Sequence, residues 1–201
     1  MIKLYDFPKS GHCHKVRALL ATQNIDHELV QVDLLAGEHL GDAFKELNPF
    51  SKVPVLTDEN NVIADSNAIL IYLAEKYDLE NVYPKDAKTR GEIQSWLSKS
   101  ANEVLHGPAY ARMVTVFGAS FDHQQAIETA HAFLTQMNDH LADRDWLVSD
   151  HVTLADYACY SYVAHAPEGN VSLDDYDHVN AWLRRFETLP GFVAMPKTDV
   201  D

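Results

Sequence analysis

The sequence predicts an α/β domain, a mixed sheet covered by helices, followed by an all-α helical domain. Three observations predict it. Strand-type alternation and helical spacing of apolar residues take turns through the first eighty residues; the strand signals stop after Tyr83-Pro84; and every later apolar pattern has the 3.6 period of a helix. A length of 201 residues suits one or two domains and buries a sizeable core without staples. The expected division is an α/β domain over 1–78, a linker over 79–86 and a helical domain over 87–201.

Ile2-Lys3-Leu4-Tyr5 alternates apolar and polar, the mark of a short strand. A helix follows over about 12–23, with Val16, Leu19 and Leu20 on one face, and His27–Val32 returns to strand. Asp42–Leu47 reads as a short helix that stops near Asn48-Pro49, because the residue before proline avoids the helical region. Val53–Thr57 reads as a strand containing Pro54, and Asn60-Asn61 as a turn into a strand at Val62-Ile63. Ser66 stands where an N-cap belongs, ahead of Ala68, Ile69, Ile71, Tyr72 and Leu73 at helical spacing. The order is βαβαββα. Beyond it, helical patterns cover about 86–117, 123–142, 153–165 and 178–188, and Gly107-Pro108 is expected to kink or break the first of these.

Thirty acidic against 16 basic residues leave a net charge of −14, spread evenly as −6 over 1–80 and −8 over 81–201. A phosphate-binding surface needs clustered Lys and Arg, so nucleic acid is not an expected partner. No apolar run approaches 18 residues and the N-terminus lacks the apolar core of a signal peptide, so no membrane partner and a cytoplasmic location are expected. Two cysteines, Cys13 and Cys159, are too few for a disulfide framework and agree with a reducing compartment.

The segment Phe7–Val16 joins the first strand to the first helix and places Ser10 at a helix start, where free backbone N–H groups and the helix dipole favour an anion. An anionic sulfur there is stabilised as thiolate. On spacing alone, the plain N-cap is the favoured reading of Ser10. Ser10-x-x-Cys13 has the spacing of a C-x-x-C redox motif without its first cysteine, so the dithiol cycle cannot run. His12, Cys13 and His14 are ligand types in a row, but consecutive helical side chains splay about 100° apart and do not converge on a metal.

The segment 37–77 carries N-P-F-S-K-V-P-V-L at 48–56 and D-S-N-A-I at 65–69. In these strings it resembles the glutathione-binding half of cytosolic glutathione S-transferases, in the manner of the phi, theta and beta-like bacterial classes. Val152-Thr153-Leu154-Ala155-Asp156 resembles the T-x-A-D capping box of the family's second half. The resemblance implies a thioredoxin-like N-terminal domain and an all-α C-terminal domain. It implies a cytosolic, homodimeric detoxification enzyme that activates the thiolate of its co-substrate glutathione for attack on a small hydrophobic electrophile, without a metal.

Site residues follow from the same resemblance. Ser10 matches the active-site serine of phi- and theta-like members and the cysteine of beta- and omega-like ones. Pro54 matches the cis-proline that turns the backbone of Val53 toward the glutathione peptide. Asp65 and Ser66 match the pair that holds the γ-glutamyl end, an arrangement that suits a carboxylate facing an ammonium and a helix start facing a carboxylate. His39 and Lys52 match positions that reach the glycyl carboxylate and the tripeptide backbone. Phe7, His106, Tyr110, Met113, Val114 and Phe117 are the candidates for an apolar second-substrate pocket, although aromatic and Met stripes at this spacing also build cores. Ala166–Asn170 reads as a turn that could rim that pocket. Tyr5 reads as a core or interface residue. Ser149 stands where members carry the glycine of W-L-x-G, so either a strained left-handed turn or a different loop is expected there.

Two other functions use the same fold: a glutathione-dependent disulfide reductase or peroxidase, and a non-catalytic binding protein. The complete set Ser10, Val53-Pro54 and Asp65-Ser66 argues against the last, because a docking module needs no thiol site.

Overall fold

The computed structural model describes residues 1–200 and divides them into two compact units. The first comprises Met1–Leu79 together with Pro190–Pro196. Its elements are β1 (Ile2–Asp6), α1 (Gly11–Thr22), β2 (His27–Gln31), α2 (Asp42–Leu47), β3 (Val55–Asp58), β4 (Asn61–Ala64) and α3 (Ser66–Lys76). The sheet order is β2-β1-β3-β4. β1 runs parallel to β2 and antiparallel to β3, and β3 antiparallel to β4, with Leu4 paired to Leu29 and Leu56 and Val55 to Ala64.

This is the βαβαββα, thioredoxin-like arrangement. Ile2 and Leu4 point from β1 into a buried layer, as the alternation requires, while Tyr5 on the other face meets Phe44 of α2 edge-on at 6.3 Å. Phe44 packs with Val32 and Val55, so α2 covers one face of the sheet. Helices α1 and α3 pack on each other and bury Val16, Leu19 and Leu20 from one and Ile69, Leu70 and Leu73 from the other. Two expectations shift. The strand predicted from Val53 begins at Val55, after the proline. The cap of α3 is Asp65, not Ser66, which is the first helical residue.

The stretch Pro190–Pro196 lies on α1. The Val193 carbonyl pairs with His14 Nε2 at 2.7 Å, Phe192 meets the His14 ring edge-on, and Gly191, at φ 78°, sits against Ala21 where a Cβ would come within 2.8 Å of its carbonyl oxygen.

The second unit, Glu80–Leu189 with the chain end from Lys197, is all-helical: α4 (Ala87–Ala101), α5 (Tyr110–Phe117), α6 (His123–His140), α7 (Leu154–Ala164) and α8 (Asp177–Glu187). The break expected at Gly107-Pro108 is present as a wide turn, Leu105–Ala109, in which Gly107 leaves helical geometry. A Cβ at Gly107 would lie 2.9 Å from the backbone of Ala130, so glycine is also what lets this turn lie against α6. Helix α7 is apolar nearly all round and buried, with Tyr157 and Tyr160 packing on Phe186 of α8. Ser149 is not left-handed, so the loop before α7 follows a path different from one that needs glycine.

Candidate functional site

The loop from β1 into α1 is held from below. The Arg17 guanidinium pairs with the buried Asp6 carboxylate and donates to the Pro8 carbonyl at 2.9 Å. Ser10 then caps α1: its backbone is extended (φ −83°, ψ 120°), its N–H donates to the Phe7 carbonyl, and its Oγ accepts from the Cys13 N–H at 3.3 Å. The cap uses a lone pair of the hydroxyl, whose hydrogen lies within reach of the Cys13 sulfur and is able to rotate toward another acceptor. The half-buried Ser10 is therefore a helix cap at the positive end of α1, with a hydroxyl that is chemically able to donate as well.

Cys13, three residues on, is of another kind. It is fully buried, and its sulfur accepts the Phe7 N–H at 3.4 Å. Burial, aided by the charge of Asp6, pushes its thiol up to about 12. It stays a neutral thiol at physiological pH.

The start of α3 supplies a second set of donors. Asp65, at φ 77°, accepts the N–H groups of Asn67 and Ala68 on one carboxylate oxygen at 2.9 and 3.1 Å, and the residue is exposed. Ser66 is buried, and its Oγ lies 3.4 Å from Nδ1 of His12 on the first turn of α1. That contact brings the Asp65-Ser66 pair against the turn that Ser10 caps.

The backbone between these starts is shaped by Asn48. Its side chain accepts the Phe50 N–H at 3.1 Å and donates to the Lys52 carbonyl at 2.8 Å, which folds 48–52 into a tight loop. The loop delivers Val53 to a cis peptide with Pro54, one residue ahead of the β3 ladder. The Lys52 side chain is exposed. His39 lies in the short helical turn Glu38–Leu40, and its Nδ1 is buried without a hydrogen-bond partner.

The structure thus sets Ser66 against His12, two residues after Ser10, and places Val53, Pro54, Lys52 and His39 on loops of the same unit. Phe7 is half-buried in the loop before α1. The remaining second-substrate candidates belong to the helical unit. His106 lies edge-on to Tyr110 at 5.0 Å, and one face of Tyr110 is already covered by Phe121, stacked at 3.7 Å. Met113 and Val114 are half-buried on α5, and the exposed Phe117 lies under the Arg112 guanidinium. Ala166–Gly169 is a turn, held by a buried ion pair of Glu168 with Arg112 at 2.6 Å.

Sequence reasoning missed three residues at the site. Asn48, His12 and Lys15 act through contacts that periodicity does not carry; only Asn48, next to Pro49, had a local turn signal. Among the described residues no three His, Cys, Asp or Glu side chains are placed to hold a metal ion.

Known proteins agree with this architecture. Residues 4–81 match the family model of the glutathione S-transferase N-terminal domain, and residues 116–190 that of the C-terminal domain. Theta-1 glutathione S-transferase of Mus musculus is 29% identical over 95% of this chain and 84% of its own length. A probable maleylacetoacetate isomerase of Caenorhabditis elegans is 31% identical over 95% of this chain and 91% of its own. A crystal structure of a glutathione S-transferase from Pseudomonas fluorescens superposes with a TM-score of 0.91 at 28% identity, covering 96% of this chain and 98% of that one. With both halves matched and near full-length relatives aligned, the chain belongs to the glutathione S-transferase family.

Proposed function

We propose that this chain is a serine-type glutathione transferase, in which Ser10 donates a hydrogen bond to the glutathione sulfur and holds it as thiolate. The observation that carries the reading is the Ser66–His12 contact, which sets the anion-favouring start of α3 beside the turn capped by Ser10. Each end of a γ-glutamyl tripeptide then meets suitable chemistry. Asp65 faces the γ-glutamyl ammonium, and the hydroxyl and N–H of Ser66 face its carboxylate. The backbone of Val53, ahead of Pro54 and outside the β3 ladder, pairs with the peptide, and Lys52 and His39 receive the glycyl end. The sulfur lies at Ser10, where the α1 dipole and the hydroxyl favour negative charge. The thiol proton leaves to solvent, and the thiolate attacks an electrophilic carbon, forming the C–S bond as the leaving group (halide, for an aryl halide) departs with its electron pair. Rate comes from an activated nucleophile and from proximity.

The reductase or peroxidase reading uses glutathione thiols without an enzyme cysteine and shares this site, so turnover of a mixed disulfide or hydroperoxide, assayed beside an aryl halide, separates it from the transferase. For the apolar electrophile, the proposed contacts in the helical unit are His106, Tyr110, Met113, Val114 and Phe117. We also propose a two-fold homodimer in the cytoplasm; neither cysteine is in a disulfide. A solution mass of 22.6 kDa at dilute concentration would remove the dimer.

The test is the ultraviolet titration of the thiolate of bound glutathione, on wild type and Ser10→Ala. The expected result is a thiol pKa below that of free glutathione that returns toward it in the variant. Binding without a shift in the wild type would overturn the proposal.

A further inference from the structure

Helix α1 presents two polar side chains to the first turn of α3. His12 Nδ1 lies 3.4 Å from Ser66 Oγ, and Lys15, with 1% of its surface exposed, donates from Nζ to Asn67 Oδ1 at 3.1 Å. Ser66 and Asn67 are the first two helical residues after the Asp65 cap. A serine hydroxyl has one hydrogen and two lone pairs. If Ser66 gives that hydrogen to His12, its oxygen turns a lone pair toward any carboxylate at the helix start and repels it. If His12 is the donor, the Ser66 hydrogen is released to the carboxylate. The ring is suited to be that donor. Burial first, and then the positive charges of Lys15 and Lys52, hold its pKa at about 3, so it is neutral with a single N–H. A neutral donor adds no second cation beside the γ-glutamyl ammonium, while Lys15, buried beneath, adds positive potential to the α3 dipole.

We infer that His12 is a positioning residue for glutathione: its Nδ1–H donates to Ser66 Oγ and turns the Ser66 hydroxyl hydrogen onto the α-carboxylate of the γ-glutamyl group. The inference rests on the glutathione reading above. It makes His12 responsible for selecting thiols that carry this carboxylate.

The experiment compares wild type, His12→Leu and His12→Asn with two thiols, glutathione and γ-aminobutyryl-cysteinyl-glycine, which lacks only that carboxylate. An asparagine places an amide N–H near the position of the imidazole Nδ1, and leucine places no donor there. With glutathione, His12→Leu should raise KM about ten-fold with kcat within two-fold, and His12→Asn should restore KM to within about three-fold of wild type. With the decarboxylated thiol, wild type and His12→Leu should have equal KM. An unchanged glutathione KM in His12→Leu would overturn the inference. So would an equal rise for both thiols, which is what a packing defect produces, or an Nε2–H tautomer of His12 in the nitrogen-15 spectrum of the glutathione-bound wild type. Absence of glutathione saturation in the wild type would instead remove the glutathione reading itself, and the inference with it.

Discussion

Asp65 and Asp156 both serve the start of a helix, yet their carboxylates have opposite surroundings. Asp156, in the first turn of α7, is fully buried. One oxygen accepts the Thr153 N–H at 2.8 Å and the Thr153 hydroxyl at 3.1 Å, and the other accepts the Leu147 N–H at 3.0 Å and the Trp182 indole N–H at 2.9 Å. Asp65, at the start of α3, is exposed, holds two N–H groups on a single oxygen, and sits at φ 77°, a conformation that a non-glycine residue keeps only at a cost of about 1–3 kcal/mol. The same local chemistry therefore has two uses. At α7 every acceptor site is turned inward and ties the preceding loop and α8 to one point. At α3 a strained backbone holds a carboxylate out to solvent, which is the arrangement expected of a group that meets a ligand.

Removing each carboxylate should separate stability from binding. The largest effect is expected for Asp156→Ala, which strands the Leu147, Thr153 and Trp182 donors in the interior. It should cost about 3–5 kcal/mol of unfolding free energy, read by denaturant titration. Burial outweighs the four donors and raises the Asp156 pKa above its usual 3.8. For a carboxyl raised on folding, the contribution to stability is full below the unfolded value and declines as pH rises through the folded one. The gap between wild type and Asp156→Ala should accordingly narrow as pH climbs from below 3.8 toward neutrality. A gap that widened instead would mean that the donors prevail over burial.

Ser10 comes next, because its hydroxyl caps α1 and, on the proposed reading, also serves the thiolate. Ser10→Ala removes the hydrogen bond to the thiolate, worth about 1.5–3 kcal/mol for a charged partner, so conjugation of an aryl halide should fall about 10–100-fold and reappear at higher pH. An unchanged rate and pH profile would place Ser10 with Asp156, as a cap and nothing more. Asp65→Asn is milder and more selective. The amide oxygen can still accept the Asn67 and Ala68 N–H groups, while the charge opposite the γ-glutamyl ammonium is gone. Glutathione KM should rise about ten-fold with the unfolding midpoint nearly unchanged. A drop in the midpoint with KM intact would reverse the comparison.

The sequence made the cap at Ser10 legible, because strand alternation ends at Tyr5 and helical spacing begins within a turn of it. The cap at α3 was misplaced by one residue for a physical reason. Aspartate and serine are both good N-caps, and the left-handed backbone that selects Asp65 leaves no trace in a propensity. The strand start at Val55 was likewise hidden, since β-branched Val53 reads as strand whether or not its backbone joins the ladder. At Ser149 the absent glycine left a strained left-handed turn and a different loop path equally open, and only the backbone, which is not left-handed there, decides for the second. His12 and Lys15 were out of reach. Their partners Ser66 and Asn67 lie more than fifty residues away, and such contacts exist only once α1 and α3 have packed. The return of Pro190–Pro196 to α1 carries no periodicity at all, and it is the contacts of Gly191, Phe192 and Val193 with α1 that reveal it.

The smallest expected effect belongs to Cys13, and it bears on the comparison most finely. Cys13 shares the first turn of α1 with the Ser10 cap, so position alone would make its sulfur a candidate thiolate. Burial decides otherwise. The sulfur is sealed, accepts a single backbone N–H and lies within the field of Asp6, which lifts its pKa to about 12 instead of lowering it. Cys13→Ala should therefore leave conjugation and its pH profile within two-fold of wild type, and iodoacetamide should fail to label Cys13 in the native protein at pH 8. Rapid labelling, or loss of conjugation in the alanine variant, would show that the turn capped by Ser10 exposes two working groups, and that exposure rather than helix-start position stops being the property that separates the groups of this fold that act from those that hold it together.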